Sequence, residues 1–172
     1  MQTEIKTDLD AGSPGQLTVL PSFNSAAKVR SCKVTGDIYP GDAVKDGTTD
    51  NEILAIVPGT DADTLVTGIA VRSHENVGAL PTFSQGWGDT PTQTNSTQGS
   101  CEDGPIFVKL AAGQTPKNGD LATPIGRNAT TNHMEWGVLT GTGVSSRVEF
   151  KSGVLNGNVA IVRVYAGAPL GN

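Results

Sequence analysis

Apolar and polar residues alternate along this chain in short stretches, and nowhere at a sustained helical period. In AKVRSCKV, residues 27–34, Arg30, Cys32 and Val34 fall on one side and Val29, Ser31 and Lys33 on the other, as in a half-buried strand. IFVKL repeats the alternation, with Ile106, Val108 and Leu110 together. ILAIV and TLVTGIAV are continuous apolar, β-branched runs separated by the turn cluster PGTDAD. LTVLPSF is a shorter run broken by Pro21, and VAIVRVY, residues 159–165, is the strongest strand signal of all. Short strands between glycine-rich turns predict an all-β fold, an antiparallel β-sandwich or barrel with little or no helix.

Two of the turns look alike. IYPGDAV occupies residues 38–44 and PKNGDLA residues 116–122. Pro40 and Gly41 suit the centre of a type II turn, where proline presets φ and glycine accepts a positive one. Asn118 and Gly119 suit the two positive-φ positions of a type I′ hairpin turn. Asp42 and Asp120 follow, each able to accept hydrogen bonds from nearby backbone amides. CKVTGD precedes the first turn and VKLAAG the second, each with a lysine inside an apolar strand. VTGIAV and EWGVLT come after, with Gly68 and Gly137 in similar places. These matches predict an internal duplication of a Gly-Asp turn unit: copy one over about 28–75 with an extra hairpin, copy two and a final strand over about 106–165.

The remaining segments are polar. Residues 1–15 read as a flexible N-terminal arm ahead of a single β-rich domain, 16–172. Residues 76–105 read as a long polar loop, with Trp87 between two glycines either as an interface anchor or folded back onto its own barrel.

Composition narrows the function. The chain has 22 glycines and only 5% aromatic residues, too much glycine for a helical protein. A net charge of −5 and a pI near 4.9 oppose binding to nucleic acid. No apolar run approaches the ~18 residues of a membrane span. MQTEIKTDLDAG has no apolar signal segment, so the expectation is synthesis in a cytoplasm, where Cys32 and Cys101 remain thiols. The sequons at Asn95 and Asn128 carry no meaning there.

No reactive constellation emerges. His74 and His133 each lack a second ligand at metal spacing. QGSCEDG places Ser100 and Cys101 after a glycine but lacks the glycine that follows a hydrolase nucleophile. Asp42 and Asp120 are explained as turn residues rather than as a carboxylate dyad. GTDAD and CEDG lack the spaced oxygen ligands of a calcium loop, and Lys45 lacks the hairpin-tip context of a biotin or lipoate carrier. No catalytic, cofactor-binding or metal site is therefore predicted.

The set KVTGDIYPGDAV, LVTGIAVRS, GPIFVKLAAGQTPKNGDLATPIG, EWGVLTGTG and VAIVRVY, in that order over roughly residues 28–165, resembles the cement, or decoration, proteins of tailed-phage heads. The resemblance implies a non-enzymatic virion protein, made in the host cytoplasm and bound to the outer capsid surface, with the major capsid protein as partner. It also implies a homo-oligomer, dimer or trimer, matched to a symmetry axis of the shell. Ile5 and Leu9 in the arm, and Phe83 and Trp87 in the loop, are the candidate capsid contacts. The alternative is a carbohydrate-binding or host-adhesion module using Trp87 and Trp136.

Overall fold

The computed structural model describes residues 13–18, 27–72 and 91–171. Eleven strands account for the regular structure: β1 (Lys28–Val34), β2 (Ala43–Asp46), β3 (Glu52–Ala55), β4 (Gly68–Ala70), β5 (Thr97–Leu110), β6 (Ala122–Arg127), β7 (Met134–Val138), β8 (Ser145–Ser146), β9 (Val148–Phe150), β10 (Val159–Val164) and β11 (Leu170–Gly171). The sole helical element among the described residues is a 3₁₀ turn at Asp63–Leu65, which takes up the start of the run TLVTGIAV. The chain is all-β, as its alternation predicts, and the sheet closes into a barrel-like arrangement.

The closure can be traced pair by pair. β1 joins β3, β3 joins β2, β2 joins β4, and both β4 and β1 join the first half of β5, which completes a ring. The second half of β5 joins β10 on one edge and β7 on the other. β10 continues to β9, β7 to β6, and an isolated bridge between Leu121 and Glu149 closes a second ring. β5 thus belongs to both. Most pairings are antiparallel, but each ring contains one parallel contact, Lys33 with Glu52 and Lys109 with Glu135.

Strand alternation decides which ring each side chain fills. Val44 and Ala70 join Cys32, Val34, Ile38 and Ile53 in the first ring. Their neighbours Ala43 and Ile69 point the other way. They join Ile106, Val108, Leu110, Trp136, Phe150 and Val162 in the larger cluster that fills the second ring and the seam.

Two sequence expectations change here. Residues 97–105, assigned to the polar loop, form the first part of β5. That stretch carries Gln98 and Ser100 where an apolar residue is usual, and both are buried. The Gln98 amide donates to the Val71 carbonyl and, at 3.0 Å, to that of Gly99, while its oxygen accepts from the Thr92 hydroxyl. A strand whose buried positions carry polar side chains shows no hydrophobic alternation. Second, Gly68 and Gly137 are not counterparts. Gly68 lies in β4 opposite Val44, whereas Gly137 lies in β7 opposite Thr123. The first turn leads into the β2–β3 hairpin and the second into the β6–β7 hairpin, so among the described residues the extra hairpin expected in copy one is not seen, and the internal duplication is not confirmed.

Candidate functional site

The paired turns are the best-defined local geometry. In the first, the Asp42 amide donates to the Tyr39 carbonyl at 3.0 Å and the Asp42 carboxylate accepts from the Tyr39 amide at 2.9 Å. In the second, the Asp120 amide donates to the Lys117 carbonyl at 3.1 Å and its carboxylate accepts from the Lys117 amide at 2.7 Å. Gly41 has φ +88° and Gly119 φ +100°. Asn118 is not among the positive-φ residues, so the expected type I′ turn is not formed. One positive φ at the second central position makes KNGD a turn of the YPGD kind, in which Asn118 stands where Pro40 does.

Their anchoring also corresponds. The Gly41 amide donates to the Ala70 carbonyl at 2.9 Å and the Ala70 amide to the Asp42 carbonyl at 2.8 Å. The Gly119 amide donates to the Phe150 carbonyl at 2.9 Å and the Phe150 amide to the Asp120 carbonyl at 2.8 Å.

Surroundings separate the two. Pro40, Gly41 and Asp42 are buried. The Arg127 guanidinium pairs with the Asp42 carboxylate and stacks over the Tyr39 ring, 4.8 Å from its centre. Trp136 donates its indole N–H to the Gly41 carbonyl at 3.0 Å. Residues 13–18 lie across the same turn: the Gly15 amide donates to the Phe107 carbonyl at 2.8 Å, and the Arg72 amide donates to the Gly15 carbonyl at 2.7 Å. Ser13–Gly15, assigned to the arm from sequence, are therefore held against the barrel. Burial pushes the Asp42 carboxyl above its ordinary value, and Arg127 with the Tyr39 amide only partly offsets this. In the second turn Lys117, Asn118 and Gly119 are exposed and Asp120 is half-buried.

The structure brings none of the sequence-weighed reactive residues together. Cys101 is buried in β5, and burial pushes its thiol up to about 12, which leaves it protonated and unreactive at neutral pH. Cys32 is also a free thiol, buried in the first ring. Asp42 and Asp120 sit on separate turns with separate anchors. The Asn128 carbonyl oxygen accepts from the Thr130 and Thr131 amides and its amide donates to Glu135, so it serves a turn. Among the described residues, no group of three His, Cys, Asp or Glu side chains is placed to hold a metal ion. A polar recess of about 210 Å³ is lined by Arg30, Asp46 and the 47–52 turn. Its Arg30 is already paired with Asp46 and Glu102. Trp136 is fully buried, which removes it as an exposed sugar platform. Ile5, Leu9, Phe83, Trp87 and His74 lie outside the described residues.

What sequence reasoning missed is Arg127 and Trp136 as the cover of the first turn. Neither carries a local signal, because both act across more than 80 residues of chain.

A family model for structural cement protein (E217 gp24/Pam3 gp6) matches residues 1–165. The chain belongs to this structural cement protein family of bacteriophages. Its role is thus that of a structural protein of the virion, associated with the capsid, in agreement with the resemblance read from the sequence. A solved structure described as the capsid of Myoviridae phage XM1 shares the fold at a TM-score of 0.59. That likeness covers 95% of this chain and 96% of the other at 16% identity. No curated protein matches the cement protein.

Proposed function

We propose that this cement protein binds the outside of an assembled phage head and stabilises it by bridging neighbouring capsid subunits. The observation that carries the reading is the family match over residues 1–165, nearly the whole chain. The body supports it: a closed barrel whose described residues hold no cluster of metal-ligating side chains offers a scaffold rather than a reactive pocket. A ligand that binds only the assembled shell stabilises it by mass action, and an oligomer that spans several subunits gains avidity. We assign the cement protein a dimer or trimer seated on a symmetry axis of the shell, with the arm at 1–12 and the segment around Trp87 as further contacts.

The test adds purified protein to heads that lack it. The expected result is saturable binding and a head that withstands higher temperature or lower salt than the bare shell. A variant lacking residues 2–12 should melt like the full chain yet occupy heads more weakly. Equal occupancy removes the arm from the interface, and heads no more stable when saturated overturn the cementing role.

A further inference from the structure

We propose that the second turn, Lys117–Asp120, is an open docking point for an arginine-bearing tight turn of the capsid protein. The inference rests on the capsid-binding role proposed above and names one place where that contact is made.

The argument comes from the turn that is already covered. Both turns make the same internal hydrogen bonds and the same anchoring bonds to a neighbouring strand, at Ala70 and at Phe150. Around the first, the fold supplies two things. One is a second tight turn lying flat on the glycine, Ser13–Gln16, closed by the Gln16 amide on the Ser13 carbonyl at 2.9 Å: a Cβ placed on Gly15 meets the Gly41 amide nitrogen at 2.7 Å, and one placed on Gly41 meets Pro14 Cβ at 2.9 Å. The other is a guanidinium, from Arg127, on the carboxylate oxygen that also caps the turn.

Around the second turn neither is present among the described residues. A Cβ placed on Gly119 meets only Glu149 Oε1, at 3.9 Å, so the face of the glycine is open. The Asp120 carboxylate accepts the Lys117 amide and makes no other hydrogen bond or ion pair among the described residues. The charged groups nearby leave Asp120 available: Glu149 is committed to the Lys151 ammonium and the Tyr165 hydroxyl, and Lys117 is exposed at the rim. A glycine face that admits backbone, beside a carboxylate with unused acceptor capacity, is the surface that Pro14–Gly15 and Arg127 occupy on the other turn. Arginine is the complementary cation, since its planar fork reaches both oxygens of a carboxylate.

The experiment compares the full-length protein with D120N and N118R for binding to heads that lack it. Asparagine keeps the oxygen that caps the turn and removes only the charge, and Asn118→Arg places a cation on the exposed tip. D50N, an exposed change on the β2–β3 hairpin, controls for the loss of one negative charge. About tenfold weaker binding is expected for D120N and at least that for N118R, the scale of one charge-assisted hydrogen bond, with D50N unchanged. Wild-type affinity for D120N overturns the docking point. So does a D120N protein that melts earlier, which assigns the turn's cover to the chain itself, or one whose oligomeric mass changes, which assigns it to a second copy. Failure of the wild type to bind heads overturns the proposed function instead.

Discussion

Asp42 and Asp120 perform the same local task in different surroundings, and their substitution costs should differ accordingly. Removing the Asp42 carboxylate strands the Tyr39 amide and the Arg127 guanidinium around a fully buried site. Asp42→Ala should therefore cost about 2 kcal/mol, the scale of an unsatisfied buried group, moderated because Arg127 remains partly exposed. Asp120→Ala loses one half-exposed bond and should cost about 1 kcal/mol or less. Urea midpoints of the two variants check this, and equal losses would contradict it. Titration adds a second contrast at this scale. With its carboxyl raised above 3.8, folded Asp42 binds its proton more tightly than the unfolded chain does, so its contribution declines as pH rises from there. Glu149 behaves oppositely. Burial opposes its charge, but Lys151 and the Tyr165 hydroxyl hold it below 4.5, and its contribution is lost as pH falls through that lowered value. At the alkaline end Cys101 holds its proton from pH 9 to about 12 while an unfolded thiol does not, so stability falls across that window. A Cys101→Ala variant should show a flatter stability curve between those limits, measured by chemical denaturation against the wild type.

At the scale of elements, the segment 13–18 is fixed by one backbone position. Gly15 has φ +76°, and an added Cβ would sit 2.7 Å from the Gly41 amide nitrogen and 2.8 Å from the Ala70 carbonyl oxygen. Gly15→Ala combines a left-handed side chain with a clash against backbone, and should lower stability by about 2 kcal/mol or more, read from its thermal midpoint. An unchanged midpoint would show that the segment lifts away at little cost. The elements also show what the sequence made legible. β1, β10 and the second half of β5 were readable because Cys32, Val34, Ile106, Val108, Val162 and Val164 alternate toward an apolar interior. The first half of β5 was not, because Gln98 and Ser100 are buried as polar groups and Gly99 and Gly104 supply close approach instead of apolar area. A Cβ on Gly104 would meet Ala27 at 2.7 Å. The turns were visible as Gly-Asp pairs, but which was covered depended on Arg127 and Trp136. Their distance along the chain from Asp42 and Gly41 leaves no periodic trace.

At the scale of the whole molecule, β5 gives the protein one body rather than two. Its first half closes the ring of β1–β4 and its second half closes the ring of β6, β7, β9 and β10. Loss of either ring strips one half of β5 of its hydrogen-bonded neighbours, so the rings depend on each other. That mutual dependence suits the bridging role proposed above. The arrangement around β5 also sets how the body answers force. Residues 15–18 run antiparallel to β5 along one edge, and β10 runs antiparallel along the other, so these two flanking segments point the same way. Tension applied between Ser13 and Tyr165 drags them in opposite directions along the shared strand. The ladder is then loaded in shear, with its bonds strained together instead of unzipped one after another, which is the stiffer way to pull a sheet apart.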